Sequence, residues 1–100
     1  MSAPDAPRAH TEVVGVRIVV SGRVQGVWFR DGCREVARAN GVAGWVRNCA
    51  DGRVEGVFEG GADAVDRVVA WCRTGPPRAH VTGVDARTEP VSGLSGFVVR

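Results

Sequence analysis

A chain of 100 residues accommodates one compact domain and leaves little room for a deep cofactor cleft, so an active site in it should be shallow. The formal net charge is only +2 and the arginines are scattered along the chain, which argues against a dedicated nucleic-acid surface. Valine is the commonest apolar residue and Leu94 is the only leucine. This composition favours strands in the core.

The cysteines and the N-terminal segment narrow the class of protein further. Cys33, Cys49 and Cys72 form no C-x-x-C pair and have no histidines at zinc spacing, so we expect reduced thiols in a cytoplasmic protein, with neither a disulfide framework nor a metal site. Residues 1–12 are rich in Pro and Ala and lack the apolar core of a signal peptide. They predict a disordered tail before a single domain over residues 13–100, and no stretch resembles a membrane span.

The first predicted strand and helix lie on either side of a loop bounded by glycines. Residues 13–20 are almost entirely β-branched and apolar, which is typical of a buried strand, and we expect that strand to end at Ser21-Gly22. Residues 27–40 predict a helix because their apolar side chains recur on one face. That face comprises Phe29, Cys33, Val36 and Ala37.

A hairpin and a second helix follow. Residues 42–48 and 53–60 have strand composition, and the Asp51-Gly52 dipeptide between them is a strong hairpin signal. The next segment is amphipathic and ends at a Gly-Pro-Pro sequence, which a helix cannot pass. Its apolar face comprises Val65, Val68, Val69 and Cys72.

The C-terminal quarter of the chain completes the predicted fold. Residues 81–90 and the closing GFVVR sequence resemble two strands around a loop at residues 91–96. The order β-α-β-β-α-β, with a possible fifth strand, indicates an α+β protein with the ferredoxin-like split βαβ sandwich. In this fold two helices pack on one face of an antiparallel sheet.

The segment from Ser21 to Arg30, SGRVQGVWFR, carries the clearest chemical signal. A short loop between a strand and a helix can turn several backbone N–H groups toward one point, and the helix N-terminus beside it adds positive potential. These features predict an anion-binding loop. No Gly-Lys-Ser/Thr sequence follows, so neither a nucleotide nor Mg²⁺ is implied.

Several polar side chains can be interpreted in two ways from local sequence alone. Arg30 lies in the predicted first helical turn, where a bound anion would offset its unfavourable interaction with the helix dipole, but a solvated surface arginine fits equally well. Asn48 fits a residue chosen for turn geometry. His80 fits a polar strand end, and Cys49 has no neighbouring base in the sequence. Aromatic residues on apolar faces usually pack inside the protein, so we assign three of them to the core: Phe29, Trp45 and Trp71.

Two motifs resemble those of the acylphosphatase family. They are G-R-V-Q-G-V-W-F-R over residues 22–30 and G-W-V-R-N-x-x-D-G over residues 44–52, in the family's order and separation. The similarity extends over nearly the whole chain after the tail, through the closing G-F-V-V-R. The resemblance implies the ferredoxin-like fold that periodicity also predicts.

The same resemblance implies a hydrolase of acyl phosphates that releases a carboxylate and inorganic phosphate. By this resemblance Arg30 grips the phosphoryl group and Asn48 positions the attacking water. Backbone N–H groups surround the phosphate oxygens, and they belong to Arg23, Val24, Gln25, Gly26 and Val27. Gln25 is expected to shape this loop. No cofactor is implied, and we expect a cytoplasmic monomer that binds neither nucleic acid nor membrane.

The chain departs from the family pattern at two positions, and two other functions are alternatives. Gly61 stands where relatives often have proline and Cys49 where threonine is frequent, but neither change removes a proposed catalytic group.

The first alternative function is a non-catalytic or carbamoyl-phosphate-handling domain, as in hydrogenase maturation proteins; a chain ending at Arg100 favours a stand-alone enzyme. The second is an RNA-binding domain of the same topology, which the valine-rich strands disfavour.

Overall fold

The computed structural model describes residues 12–100, so the predicted tail lies outside the described residues except for Glu12. Two helices and five strands follow one another along the chain. They are β1 (Val13–Arg23), α1 (Phe29–Ala39), β2 (Ala43–Asn48), β3 (Val54–Gly61), α2 (Ala62–Thr74), β4 (His80–Glu89) and β5 (Phe97–Val99). The predicted β-α-β-β-α-β order and the ferredoxin-like class are confirmed.

The strands form one sheet in the order β4-β1-β3-β2-β5. The first four strands pair in antiparallel fashion, as the fold prediction requires. The short β5 instead runs parallel to β2, with Phe97 opposite Gly44. The sheet is therefore mixed, because the loop after β4 crosses to the far edge and returns the chain alongside β2.

The hydrophobic core lies between the sheet and the two helices. Fully buried side chains of the central strands, such as Ile18 and Phe58, pack in one cluster with helix residues such as Cys33 and Val65. Burial of this apolar surface is the main force that holds the two layers together. Both predicted helix faces are confirmed as core-facing: Val36 is half-buried and packs against the core, and the other residues of the two faces are buried, namely Phe29, Cys33, Ala37, Val65, Val68, Val69 and Cys72.

The boundaries of the first two elements differ from the sequence prediction. β1 continues past the predicted end at Ser21-Gly22 as far as Arg23, because β4 pairs with it through a register shift between Ser21 and Gly22. Such a bulge keeps strands paired across an irregular residue. α1 begins at Phe29, not at residue 27, because Trp28 adopts a left-handed conformation with φ 68° and ψ 23°. The loop between them is therefore residues 24–28.

The assignment of Trp45 to the core was wrong. Its ring is only half-buried, and it lies on the face of the sheet that carries no helix, with the guanidinium of Arg100 4.2 Å from the ring centroid and that of Arg17 5.6 Å from it. Arg17 also pairs with Glu55 and, from Nε, with Glu89 at 2.7 Å. Cation–π contacts and ion pairs thus cover the open face.

The two helices approach each other closely at Gly32. A Cβ atom at this position would lie 2.8 Å from Cζ2 of Trp71, so glycine makes room for an indole that also contacts Phe29 at a centroid distance of 5.3 Å. This packing offsets the weak helix propensity of glycine. Cys33 and Cys72 are buried free thiols, and the Cys33 thiol together with burial raises the pKa of Cys72.

Candidate active site

A cleft of about 250 Å³ opens where the loop before α1 meets the end of β2. Arg30 and Asn48 line it from these two sides, together with the loop residues Val24 and Gly26. β1, β3 and β2 are adjacent in the sheet, so the fold brings the loop after β1 close to the end of β2. The two motifs found in the sequence therefore meet in one site.

The loop presents backbone donors that the protein itself does not use. Among the hydrogen bonds formed within residues 12–100, none has the backbone N–H of Gln25, Gly26, Val27 or Trp28 as its donor. Gly26 has φ 74°, a conformation that glycine adopts without a steric penalty. Successive amides in such a turn, next to a helix N-terminus, form a binding site for an anion.

Arg30 is in the first turn of α1 and is half-buried at the edge of the cleft. Its Nη1 donates to the carbonyl oxygen of Arg100 at 2.8 Å. Arg100 is held in turn by its backbone N–H, which donates to the carbonyl of Val46 at 2.9 Å, and by its contact with Trp45. One donor of Arg30 is thus used to orient the guanidinium, and the planar fork keeps others for a ligand.

Asn48 ends β2 and carries a polar atom that lacks a partner. Its Oδ1 is buried and accepts no hydrogen bond from any residue between 12 and 100. A buried carboxamide oxygen normally has a donor, because leaving it unsatisfied costs about 1–3 kcal/mol. A donor from outside the chain, such as water, would satisfy it.

Gln25 connects the loop to the β2–β3 hairpin. Its Nε2 donates to the carbonyl oxygens of Cys49 and Arg53, at 2.8 and 3.0 Å. The hairpin is closed by Cys49, whose N–H donates to the carbonyl of Arg53 at 2.8 Å. Asp51 reinforces it from outside, and the hydrogen bond from the Arg53 side chain holds the pKa of that carboxyl below its ordinary value.

The remaining residues predicted for the loop have different positions. The side chains of Val24 and Val27 are buried in the core, where they anchor the loop from below. Arg23 is exposed at the end of β1, opposite His80, which is itself an exposed residue at the start of β4. The described residues that line the cleft include Val24 and Gly26 but not Arg23, and a role for the Arg23 backbone N–H in anion binding stays a prediction.

Sequence reasoning assigned Phe29 only to the core, although Phe29 also lines the cleft, and it missed three further residues that contribute to the site. Trp28 and Asp31 line it, and Arg100 contacts Arg30 across 70 positions of sequence. The Asp31 carboxylate lies 3.5 Å from Arg34, one turn further along the helix, and this ion pair was visible in the i, i+3 spacing. No local signal could have indicated the contact with Arg100, because it depends on the parallel pairing of β5.

The chemistry available in the cleft follows from these groups. Within residues 12–100, no group of three His, Cys, Asp or Glu side chains could hold a metal ion. The cleft instead combines a guanidinium, amide donors and a carboxamide oxygen. Oriented donors of this kind stabilise negative charge that develops on a phosphoryl oxygen, and an acceptor can orient a water molecule.

Comparisons with known proteins agree with this geometry. The family model described as Acylphosphatase matches residues 16–99. A curated acylphosphatase of Rubrobacter xylanophilus is 63% identical over 86 residues, which is 85% of this chain and 78% of the relative. The solved structure of an acylphosphatase from Coxiella burnetii is 38% identical, with a TM-score of 0.85 over 88% of this chain and 93% of that chain.

The fold also occurs inside a larger protein. The crystal structure of T. kodakarensis HypF is 26% identical with a TM-score of 0.76, and the match covers 87% of this chain but only 12% of that chain. The family model, by contrast, spans most of the present chain, and the R. xylanophilus relative is covered over most of its length. This chain therefore belongs to the acylphosphatase family, the hydrolases that act on acyl phosphates.

Proposed function

We propose that Arg30, Asn48 and the backbone amides of the loop before α1 carry out the hydrolysis of the carboxyl–phosphate bond. The observation that carries the proposal is the meeting of unused donors and one unused acceptor in a single cleft. The amides of residues 25–28 have no acceptor within the described chain, and Asn48 Oδ1 has no donor there. The oxygens of a phosphoryl group would accept from these amides, and a water molecule would donate to Asn48 Oδ1.

Arg30 would bind the phosphoryl oxygens. A cation in the first helical turn faces the positive end of the helix dipole, so it is favourable there only when an anion is bound nearby. The hydrogen bond from Nη1 to the Arg100 carbonyl fixes one edge of the guanidinium in advance. A donor that is already oriented costs no reorganisation when charge develops on the phosphoryl oxygens.

Asn48 would position the nucleophile. Its Oδ1 would accept a hydrogen bond from water, whose oxygen then attacks phosphorus as the bond from phosphorus to the acyl oxygen breaks. The leaving group is a carboxylate, whose conjugate acid has a pKa of about 4, so it departs without a general acid. We further propose that a phosphate oxygen of the substrate accepts the water's proton, because the described residues that line the cleft include no histidine and their one carboxylate, that of Asp31, pairs with Arg34.

Residues 13–100 are proposed to act as one domain, a cytoplasmic monomer that needs no cofactor. None of the helices in the described part of the chain is long and apolar enough to cross a membrane. Binding of nucleic acid is not part of the proposal. The ring of Trp45 on the open face contacts two guanidinium groups, and acidic Glu55 and Glu89 surround Arg17, which leaves no bare aromatic platform of the kind that RNA-recognition sheets use.

The test is hydrolysis of benzoyl phosphate by the wild type, Arg30→Gln and Asn48→Ala. We expect kcat to fall about 100-fold or more in each variant, as for loss of an oriented donor in other hydrolases, with unchanged circular dichroism. Arg73→Gln is the control, since it removes an exposed arginine in the last turn of α2 that is absent from the cleft lining, and it should retain wild-type turnover. Normal rates in both site variants would refute the assignment.

The alternative of a non-catalytic domain gives a different result. In that case the wild type would bind inorganic phosphate in a titration but would not release it from benzoyl or carbamoyl phosphate. Hydrolysis of carbamoyl phosphate but not of benzoyl phosphate would indicate a domain specialised for carbamoyl phosphate. The proposed enzyme should hydrolyse benzoyl phosphate, with inorganic phosphate acting as a competitive inhibitor because it is the product bound in the same cleft.

A further inference from the structure

Trp28 is the most exposed large apolar side chain next to the cleft. It is 72% exposed and lines the opening together with Gly26, Arg30 and Asn48. Its chain neighbours Val27 and Phe29 are both buried in the core. An indole is expected to bury its apolar surface, so its position in solvent beside the site needs an explanation.

The backbone at this position does not explain the tryptophan. Trp28 is the only non-glycine residue among residues 12–100 with positive φ, at 68°. Bulky side chains are uncommon in this region, which glycine and asparagine adopt more readily. Neither core packing nor local conformation therefore favours an indole here, and a contact outside the chain is the remaining physical role.

We propose that the Trp28 indole forms the binding wall for the acyl group, so that this protein prefers acyl phosphates with an aromatic or extended apolar acyl part. This inference rests on the proposed function. With the phosphoryl group held between Arg30 and the loop amides, the acyl group must point toward the mouth of a shallow cleft. The indole of Trp28, two positions before Arg30 in sequence, is the large apolar surface that the acyl group would meet there.

The physical basis is differential burial. A phenyl ring that covers part of an exposed indole removes apolar surface of both groups from water, whereas an acetyl group covers much less. The phosphoryl contacts are common to all substrates and cannot distinguish them. Selectivity among acyl phosphates therefore depends on the wall, while the acceleration of the bond cleavage depends on Arg30 and Asn48.

The experiment measures kcat/KM for benzoyl phosphate and acetyl phosphate in the wild type, Trp28→Asn and Trp28→Phe. Asparagine is compatible with positive φ, so the first variant removes the ring without opposing the backbone. We expect the benzoyl-to-acetyl ratio to fall about 10-fold in Trp28→Asn, in line with the loss of an apolar contact in a binding site. Trp28→Phe should restore most of the ratio.

Controls separate this inference from the proposed function. Val91→Asn replaces another exposed apolar residue outside the cleft and should leave the ratio at its wild-type value. Trp28→Gly serves as a second variant that suits the same φ if Trp28→Asn folds poorly. An unchanged ratio, or equal losses with both substrates, would overturn the role of Trp28. If the wild type hydrolysed neither substrate, the proposed function itself would be overturned.

Discussion

The side-chain carboxamide of Gln25 donates two hydrogen bonds across the site, to the carbonyl of Cys49 at 2.8 Å and to that of Arg53 at 3.0 Å. These bonds attach the proposed phosphate-binding loop to the hairpin that carries Asn48. The two halves of the cleft come from segments 24 positions apart in sequence. The distance between the two halves of the cleft therefore depends on the Gln25 side chain as well as on strand pairing in the sheet.

Gln25→Met should loosen that connection, because methionine has a similar length but no N–H group. We expect the free energy of unfolding to fall by about 1–2 kcal/mol, the net value of two ordinary hydrogen bonds. The inhibition constant of inorganic phosphate should rise as the loop amides lose their fixed arrangement. Urea unfolding and competition kinetics measure the two effects. Arg53→Ala is a control for phosphate inhibition, because Gln25 contacts only the backbone carbonyl of Arg53. A loss of stability with unaltered phosphate inhibition would restrict Gln25 to a purely structural role.

Glu59 provides a prediction about pH. Its buried carboxylate accepts hydrogen bonds from the backbone N–H groups of Ser92, Gly93 and Leu94 and from the Ser92 hydroxyl, at 2.7, 3.1, 2.9 and 3.0 Å. These bonds, first among them that from the Ser92 backbone, lower the pKa of Glu59 from its ordinary value of 4.5. The carboxylate thereby holds the loop between β4 and β5.

Because the pKa of Glu59 is lower in the folded state, the unfolded chain binds more protons than the folded chain at pH values near and between the two pKa values. The stabilisation from Glu59 is therefore complete above pH 4.5 and is lost as the pH falls through the lower folded pKa. Glu59→Gln should reduce stability at pH 7 and give a smaller loss of stability than the wild type shows as the pH falls below 4.5. Urea unfolding at several pH values tests this, with exposed Glu35→Gln as the control. Parallel pH profiles for the wild type and Glu59→Gln would contradict the assignment.

Gly44 should tolerate no side chain. It has φ 146°, and a Cβ atom here would lie 1.8 Å from the carbonyl oxygen of Val57. The strands would have to separate, so we expect Gly44→Ala to cost about 3 kcal/mol or more of unfolding free energy. Gly83→Ala is the matched control, since its Cβ would have no heavy atom within 4 Å. Similar unfolding midpoints for the two variants would show that the sheet adjusts more easily than this contact implies.

The sequence predicted those parts of the fold that local patterns determine. Phe29 and Cys33 recur at helical spacing, and both are buried as expected. Errors arose where distant pairing decides the outcome: β1 extends to Arg23 because β4 lies beside it. Trp45 was assigned to the core by composition alone, but strand alternation places it on the open face, opposite Val57.

The candidate site was predictable to a similar extent. Arg30 and Asn48 were found through motifs, and the structure brings them to one cleft. The contact between Arg30 and the Arg100 carbonyl could not be predicted, because it requires the register of β5 on β2. Trp28 was overlooked since neither periodicity nor the motif reveals that its backbone is left-handed and its ring exposed.

Arg17 allows an apolar residue to be buried on the face of the sheet that carries no helix. Val57 is only 4% exposed although it belongs to the face without helices, and its neighbour across the β1–β3 ladder is Arg17. The aliphatic part of an arginine can shield apolar groups while its charged end stays hydrated. By joining Glu55 on β3 to Glu89 on β4, this side chain shields the centre of the open face, so Val57 stays buried there although no helix packs on that side of the sheet.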